Sequence, residues 1–495
     1  MVLPPKKGSP PPELKQGKLA KEISTARIKE FLEKPDGIDE PVASQDPNGV
    51  ESSGATSESK KIVERQLPFP EILFEHFEFV LDINGDVFVV MRGAGNPYVD
   101  RVDSEVVKNK IRALGREAGK VLRRGDLNDL VADIKSHAVE KKAEVRDIAY
   151  RVTKVTDGVV IDLGDDDHTH IKITADGVEV LTEGSETLFF RTAVSRSFPM
   201  PAETGDVKRL KKYLNLHDVH KLLLLGWITF TLAHPKSRET NYIHLVLQGD
   251  QGSGKSFLCH VLQSLIDPCR VGLQILPRNP KDLAIAGNQA HVLFYDNLRE
   301  IRQSMADNLC IASTGGTLSG RQLYTDSEMH VDRLHVAVVL NGIHSFIDQP
   351  DLAQRCLTLR LKTMPESERK SEKDLRDDFD KDLPYILRGL FDLIAKIFKH
   401  LPDAEVISPE RMIDFVKWLA AMEEAQGAPA GVCQWNYSDV LREAQLDTLM
   451  DHPLAAAVLQ LMEDLGDAPW SGTPAELLNK LNNLVATGTQ RSREW

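Results

Sequence analysis

Cysteine is scarce in this chain of 495 residues, and its five occurrences follow no pattern. No two of them have the spacing of zinc ligands, and an odd number argues against a disulfide framework. The scarcity fits a protein that is kept in a reducing cytoplasm. The five positions are Cys259, Cys269, Cys310, Cys356 and Cys433.

The chain also has no excess of positive charge and no long apolar run. The net charge is −13 at neutral pH, so any DNA contact needs a local basic patch or the lining of a channel. The longest apolar run, from Leu222 to Ala233, is too short to span a bilayer and predicts a buried helix. The first residues lack the apolar core of a signal peptide. We therefore expect a cytoplasmic protein that has no membrane partner.

Four segments of the chain differ in composition and periodicity. Residues 1–60 are rich in Pro, Lys, Ser, Glu and Gly, which predicts a disordered tail. Residues 61–200 carry strand patterns around a helical stretch at about 104–142, which predicts a β-rich α+β domain. Residues 201–372 alternate apolar strands with helical patterns, which indicates a parallel α/β sheet. Residues 373–495 predict a helical C-terminal region.

Two helix starts in this last region carry capping residues. Ser408 followed by Pro409 predicts an N-cap with proline at the first helical position. Thr473, Pro474 and Glu476 form the sequence pattern of a capping box. We expect a helix to begin at each of these places.

The stretch LVLQGDQGSGKSFL is the strongest functional signal. Its Gly249, Gly254, Lys255 and Ser256 satisfy G-x-x-x-x-G-K-S between a strand pattern and a helix pattern. In such a loop the backbone N–H groups turn toward phosphates, the lysine reaches the β- and γ-phosphates, and the hydroxyl holds Mg²⁺. The motif predicts a P-loop NTPase that takes ATP and Mg²⁺. The predicted nucleotide-binding residues are Gly249, Asp250, Gln251, Gly252, Ser253, Gly254, Lys255, Ser256 and Phe257.

A second strand, HVLFYD, ends in an acid that suits the same chemistry. Asp296 stands where such ATPases carry the carboxylate that holds Mg²⁺ through water. Asn297 follows, where many of them carry a Glu that activates water. An amide can orient water but cannot accept a proton at neutral pH. Glu300 or Asp307 is the candidate replacement, and the alternative for both is an exposed helix charge.

Two further residues stand at the ends of later strand patterns. Asn341 ends the strand LHVAVVL, where a polar side chain would sense the γ-phosphate. Arg355 precedes the strand CLTLRL and suits an arginine finger that reaches a neighbouring subunit's nucleotide. The alternative for Arg355 is a surface charge paired with Asp351, four residues earlier.

The order of these motifs resembles that of the superfamily-three helicases, and more narrowly the primase–helicase-type AAA+ ATPases of phages, plasmids and integrated elements. Between the acid strand and the asparagine strand lies a block that in this family forms a pore-lining hairpin. The resemblance implies DNA contact from Arg321, His330 and Arg333, for which turn and strand-edge roles are the alternative. The residues that carry the likeness of this block are Thr314, Gly315, Gly316, Arg321, Tyr324 and Asp326.

The resemblance implies an α/β fold with an AAA+-like P-loop core, a homo-hexamer and a DNA helicase or translocase. It covers residues 242–361 closely, and a looser likeness suggests a partial winged-helix end from about Trp470 to Leu481. No primase domain is recognised, so priming would need a separate primase or initiator. Two rival functions remain: an ATP-binding switch with slow hydrolysis, and a P-loop kinase or unrelated signalling ATPase.

Three other charged patterns have ordinary interpretations. Asp82 and Asp86 flank an Asn-Gly turn and are better explained by a hairpin than by a primase metal pair. The acidic stretch DLGDDDHTH, residues 162–170, could bind a metal but is better explained by a solvated turn between strands. The basic stretch KRLKK, residues 208–212, could meet phosphates but is better explained by a solvated helix face.

Overall fold

The computed structural model describes residues 73, 77–93, 95–117, 121–321, 329–365, 371–451, 453–466 and 468–485. The predicted tail over residues 1–60 lies outside this part of the chain. The described residues divide into two compact units. The first extends to Arg92 and resumes over Tyr98–Ile148, and the second contains Gly93–Pro97 and everything from Ala149 onward.

The first unit is a sheet of four strands covered by two helices. Valine and isoleucine side chains of the helices, such as Val107, Ile111 and Ile134, are buried in its core. The sheet has the order β3-β2-β1-β4, with β1 and β4 parallel and the other neighbours antiparallel. The elements are β1 (Glu78–Leu81), β2 (Val87–Met91), β3 (Tyr98–Arg101), α1 (Glu105–Glu117), α2 (Arg124–Glu140) and β4 (Glu144–Val145).

The predicted hairpin around Asn84 is confirmed as the turn between β1 and β2. The Asp82 carboxylate accepts hydrogen bonds from the backbone N–H groups of Asn84 and Asp86. Gly85 has a φ of 85°, which a residue with a Cβ rarely adopts. Asp82 therefore organises the turn, as the ordinary interpretation predicts.

The second unit begins with an antiparallel meander in the order β6-β7-β8-β9. Asp-Gly turns at residues 157–158 and 176–177 join its first two and its last two strands. Its buried Val159, Ile161 and Ile173 belong to the same core as the helices farther along the chain. The predicted boundary near residue 200 therefore does not coincide with the division into units. The strands are β5 (Ile148–Ala149), β6 (Val152–Val155), β7 (Gly158–Asp162), β8 (His170–Thr174), β9 (Gly177–Leu181) and β10 (Leu188–Phe189).

A parallel sheet of four strands lies at the centre of the second unit. It has the order β12-β15-β11-β16, so β15 separates β11 from β12. Its strands are buried on both faces and read as nearly continuous apolar runs, as expected of a parallel sheet between helices. The strands are β11 (His244–Gln248), β12 (Val292–Leu298), β15 (Ala337–Gly342) and β16 (Cys356–Arg360).

Helices connect these strands and cover the sheet. A 3-10 helix over Val207–Tyr213 precedes them. The apolar run from Leu222 to Ala233 lies in a buried helix, and Trp227 there donates its indole N–H to the Ile243 carbonyl at 2.7 Å. Among the described residues, no helix is long and apolar enough to cross a membrane. The helices are α3 (Asp218–Ala233), α4 (Lys255–Ile266), α5 (Pro280–Gly287), α6 (Gln303–Thr314) and α7 (Pro350–Ala353).

An antiparallel pair stands between α6 and β15. It consists of β13 (Gly316–Arg321) and β14 (Met329–Leu334). Gly315 joins it to α6 with a φ of 76°, and its missing Cβ leaves room for the His335 ring. The predicted hairpin block is thus an antiparallel hairpin, and its residues Tyr324 and Asp326 lie outside the described residues.

The C-terminal region is helical, as predicted. One helix start is wrong: the helix after Ser408 begins at Ile413, because Ser408 instead bonds its hydroxyl to that of Ser438 at 2.8 Å. The capping box of Thr473 and Glu476 is confirmed. The partial winged-helix end stays a prediction. The helices are α8 (Glu372–His400), α9 (Ile413–Gln426), α10 (Val432–Asp451), α11 (Pro453–Leu465) and α12 (Pro474–Leu484).

Candidate functional site

The loop between β11 and α4 depends on glycine at Gly254 and at Gly249. Gly254 caps α4 with a φ of 91°. A Cβ on Gly249 would lie 2.8 Å from the Ser253 hydroxyl oxygen and 3.2 Å from the Leu361 Cβ. The loop therefore stays compact and leads directly into the first turn of α4. The N–H groups of that turn lack intrahelical partners and carry partial positive charge, which suits an anion.

Lys255, the first residue of α4, has its ammonium group inside this loop. The group donates to the carbonyl oxygens of Gly249 at 2.7 Å and Asp250 at 2.9 Å. Burial lowers the pKa of Lys255, and the nearby Asp296 and Asp250 oppose the shift. A lysine that has only loop carbonyls as partners can exchange them for the oxygens of an anionic ligand.

Ser256 and Asp296 meet across the edge of the sheet. The Ser256 hydroxyl donates to the Asp296 carboxylate at 3.2 Å, although the two residues are 40 positions apart. Asp296 also accepts from the Asn297 N–H at 2.7 Å. Asn297 has a φ of 63° at an irregularity near the end of β12, a conformation that asparagine tolerates better than most residues. Hydroxyl and carboxylate oxygens are ligands that Mg²⁺ prefers.

Asn341 lies near the end of β15, the strand between β11 and β12, and therefore at the same edge of the sheet. It is beside Leu247 in the register of the sheet and is fully buried. Its side-chain nitrogen is 3.7 Å from the Cys259 sulfur, and its side-chain oxygen has no hydrogen-bond partner among the described residues. The Ser253 hydroxyl is also buried without one. Buried polar atoms without partners are costly, which indicates that a ligand or water completes them.

These residues line one cleft with a volume of about 850 Å³. That volume lies within the range of small-molecule sites. The residues fit a nucleotide with Mg²⁺: the loop and Lys255 suit phosphates, and Ser256 and Asp296 suit the metal. Glu300 and Asp307, the candidate substitutes for an activating acid, do not line the cleft. Asp307 instead accepts a hydrogen bond from Gln303 at 3.1 Å.

The remaining loop residues support this geometry. The Asp250 carboxylate accepts from the Thr363 hydroxyl at 2.7 Å and so ties the loop to the segment after β16. The Phe257 ring lies 6.4 Å from the Tyr213 ring. Gln251 and Gly252 are exposed at the mouth of the cleft.

The opposite wall of the cleft comes from residues that the sequence did not single out for this role. Tyr213 and Lys212 line it from the 3-10 helix, and Glu372 and Leu375 line it from α8. Asp382 of α8 holds the first two, since it accepts from the Tyr213 hydroxyl at 2.7 Å and pairs with Lys212. The basic stretch, which Tyr213 follows, was the only sequence signal for this wall.

The basic stretch at residues 208–212 is therefore not a purely solvated helix face. Arg209 pairs with Asp382 at 3.0 Å and with Asp206 at 3.3 Å, and its guanidinium lies 4.1 Å from the centre of the Tyr385 ring. These contacts attach the 3-10 helix to α8. The basic side chains of this stretch therefore join two elements of the protein itself.

Arg355 lies far from this cleft, at the other edge of the sheet. We call the edge where the strands end the carboxyl edge and the edge where they begin the amino edge. Arg355 precedes β16, whose first residue is level with His244, whereas Gln248 near the cleft is level with Arg360. The Arg355 guanidinium pairs with Asp351 at 3.3 Å, and its side chain is 12% exposed. Asp351 also pairs with Arg411.

The candidate DNA residues also belong to the amino edge. Arg321 and His330 lie on β13 and β14, with Gly320 opposite His330 and Thr317 opposite Arg333. Arg333 is half-buried. The hairpin enters β15 only a few residues later, so β15 runs from the hairpin at one end to Asn341 at the other.

The acidic stretch at residues 162–170 forms no metal cluster among the described residues. Asp162 is buried and pairs with Arg191 at 2.6 Å, so it is not a solvated turn residue. The guanidinium of Arg191 is the main group that lowers the Asp162 pKa, against the effect of burial. The neighbouring Asp165 organises the turn by accepting from the Thr169 N–H at 2.7 Å.

Residues 210–444 match the sequence model of a family described as actinomycete integrative conjugative element replication protein. The segment resembles a mobile-element replication protein. The match spans slightly less than half of the chain. It contains the cleft, the hairpin and Arg355.

Comparisons with whole proteins add less. No curated protein matches the chain. Matching solved structures include the A form apo structure of the NrS-1 C-terminal region, which is 14% identical, covers 83% of this chain and 84% of that one, and has a TM-score of 0.37. Another apo structure of that region is 12% identical, with coverages of 83% and 85% and a TM-score of 0.40. A likeness at these TM-scores supports no conclusion about function.

Proposed function

We propose that this chain is an ATP-hydrolysing DNA helicase or translocase that serves the replication of a mobile genetic element. The observation that carries the proposal is the meeting of Ser256 and Asp296 at 3.2 Å, next to Lys255, in one cleft. Two strands, β11 and β12, have to end at one edge of the sheet for these groups to meet. The family match over residues 210–444 supports the replication role.

We infer a role for each residue of the cleft. The loop N–H groups and Lys255 bind the β- and γ-phosphates of ATP, replacing the carbonyl contacts that Lys255 makes in the structure. Ser256 and Asp296 hold Mg²⁺, which neutralises charge on the phosphates when bound. Asn341 places its unpartnered side-chain oxygen, or after rotation its N–H₂ group, toward the γ-phosphate side of the site.

We expect Asn297 to limit the rate of ATP hydrolysis. Its amide can orient an attacking water but cannot accept the proton. Its backbone is held in the left-handed region by the bond to Asp296. We infer that water is positioned at Asn297 and that hydrolysis is slower than in relatives with an acid at this place.

Arg355 and the hairpin extend the proposal beyond one subunit. Arg355 lies about 16 Å along the sheet from its own cleft, at about 3.3 Å per strand residue, so it cannot serve that cleft. In a ring it would serve the neighbour's, once it exchanges Asp351 for the γ-phosphate. The strand β15 joins the hairpin to Asn341, which offers a direct connection between nucleotide state and the proposed DNA contacts of Arg321, His330 and Arg333.

A second function is favoured by one observation. The amide at Asn297 suits an ATP-binding switch that hydrolyses slowly and assembles on DNA or on a partner such as a primase or initiator. The two functions differ in turnover: a translocase shows ATP hydrolysis that DNA stimulates and displaces a strand from forked DNA, whereas a switch does neither.

The test measures both activities on the full chain, together with its size in ATP. We expect a ring-sized assembly, DNA-stimulated hydrolysis and strand displacement. Arg321→Ala should lower the DNA-stimulated rate roughly tenfold, the cost of about one charged contact, and leave the DNA-free rate unchanged. Lys281→Ala, at an exposed lysine outside the cleft, is the matched control. An equal loss of both rates in Arg321→Ala would contradict the DNA role, and a monomer without stimulated hydrolysis would reject the translocase.

A further inference from the structure

A local excess of positive charge exists in the first unit, which the proposed function does not use. Residues 105–124 contain seven lysines and arginines but only two glutamates, in a chain whose net charge is −13. The segment covers α1 and the start of α2. Such a local excess in an acidic protein is the electrostatic footprint expected of a surface that meets a polyanion.

Some of these cations have partners within the unit and others do not. Lys108 and Arg112 pair with Glu105 at 3.3 Å and 3.7 Å. By contrast, three arginines are exposed and form no ion pair with any described residue. They are Arg116 at the end of α1, and Arg123 and Arg124 at the start of α2.

Two of these arginines lie at a helix end where a positive charge destabilises the helix. Arg123 is the N-cap of α2 and Arg124 its first residue. The helix dipole is positive at this end, so a cation here is unfavourable. Asp126 provides the stabilising contact instead, since its carboxylate accepts from the Arg123 N–H at 3.0 Å. The arginine side chains therefore do not serve the helix, which indicates that they serve a ligand.

We propose that Arg116, Arg123 and Arg124 bind the phosphate backbone of double-stranded DNA. Arginine pairs with phosphate oxygens through two parallel hydrogen bonds. Segment 105–124 includes no aromatic side chain, and the nearby Tyr98 ring is half-buried and engaged by Lys110, whose ammonium lies 5.9 Å from the ring centre. The segment itself therefore offers the bases of a single strand no ring on which to stack. A duplex presents its phosphates without requiring such stacking. The first unit would hold duplex DNA while the second acts on a strand.

The test compares two double variants at opposite ends of the same helix. Arg123→Gln with Arg124→Gln removes two charges from the surface, and Lys141→Gln with Lys142→Gln removes two exposed charges just after α2. The Kd of the full chain for a labelled 30-base-pair duplex and for the same single strand is measured without nucleotide at several salt concentrations. Vesicles with an anionic lipid are tested in parallel.

The arginine variant should bind the duplex roughly tenfold more weakly and lower the slope of log K against log salt by up to about 2, because each lost phosphate contact accounts for about 0.9. The lysine variant should match the unmodified chain.

Equal losses in both variants, unchanged duplex binding, a loss confined to the single strand, or a loss confined to vesicles would each overturn the proposal. Unfolding curves of the variants identify a folding defect, and an Arg116→Gln variant then repeats the comparison from α1. Since no ATP is present, the outcome does not depend on the proposed ATPase.

Discussion

Polar side chains at the two edges of the central sheet differ in their hydrogen-bond partners. At the amino edge, His244, His291 and His335 stand at or just before β11, β12 and β15, and each bonds a backbone carbonyl. At the carboxyl edge, the same three strands lead to the loop with Lys255, to Asp296 and to Asn341. There the side-chain oxygen of Asn341 has no partner among the described residues. The amino edge is bound into the fold through these three bonds, although Nδ1 of His335 has no partner among the described residues. The carboxyl edge, called the incomplete edge below, opens into the cleft.

The largest expected effect comes from removing the cation of the incomplete edge. Lys255→Ala should lower ATP hydrolysis by more than about 10³-fold and remove most nucleotide affinity, because the charged contact to the phosphates is lost. Nucleotide binding by calorimetry and steady-state hydrolysis measure the two effects. Its fold should persist, since Lys255 bonds only loop carbonyls. A variant that binds ATP as tightly as the unmodified chain would refute the site.

Arg355 tests whether the amino edge is purely structural, because an arginine finger there would give it a catalytic role. Arg355→Ala should bind ATP nearly normally and hydrolyse it about 10³-fold more slowly, as expected of an arginine finger. Asp351→Asn is the matched control: it removes the ion pair but keeps the guanidinium, and should hydrolyse ATP at close to the normal rate.

Mixing Arg355→Ala with Lys255→Ala tests whether Arg355 acts on the nucleotide of a neighbouring subunit. Some interfaces then combine an intact loop with an intact arginine, and part of the activity should return. Normal hydrolysis by Arg355→Ala alone would mean that the arginine only pairs with Asp351 and adds about 1 kcal/mol or less to stability.

The histidines of the amino edge predict a loss of stability in acid. Burial lowers the pKa of His244, His291 and His335 to about 4 in each case. Their unfolded pKa is about 6.5, so the unfolded chain binds protons first. The free energy of unfolding should therefore be unaffected above pH 7 and fall as the pH drops from 6.5 toward 4, by up to about 1.4 kcal/mol per pH unit and histidine. Urea unfolding at pH 7, 6 and 5 measures this, and a constant midpoint would contradict it.

The smallest expected effect concerns Asp382, which supports the second wall of the cleft. The side-chain contacts with Lys212, Tyr213 and Arg209 lower its pKa in spite of burial. Its contribution to stability is therefore present at neutral pH and is lost as the pH falls below about 4, the usual aspartate range. Asp382→Asn should cost about 2 kcal/mol at pH 7 and raise the KM for ATP more than it lowers kcat. Asp378→Asn, one turn earlier on the exposed face of α8, is the control.

The incomplete edge was largely predictable from the sequence, whereas its supports were not. A glycine-rich loop is a local pattern, so the positions of Gly249 and Gly254 identify it without tertiary information. The alternation of strands and helices likewise predicted the parallel sheet. In contrast, the contact of Asp382 with Lys212 joins residues 170 positions apart, and no local pattern specifies it. At Ser408 a local pattern gave a wrong prediction. The sequence predicts a helix N-cap there, but the Ser408 hydroxyl instead bonds to that of Ser438, which is distant in sequence.

The position of β15 between β11 and β12 has a consequence for how the protein is made. When a ribosome has synthesised the chain through Asp296, the loop with Lys255 and the Asp296 carboxylate both exist, but the strand that holds them side by side has not yet been translated. Until residues 337–360 emerge, β11 has neither of its neighbours and exposes both of its edges. Parallel strands with such long connections pair slowly and are prone to aggregate. Truncation anywhere before residue 337 should therefore yield an insoluble product rather than a smaller nucleotide-binding domain.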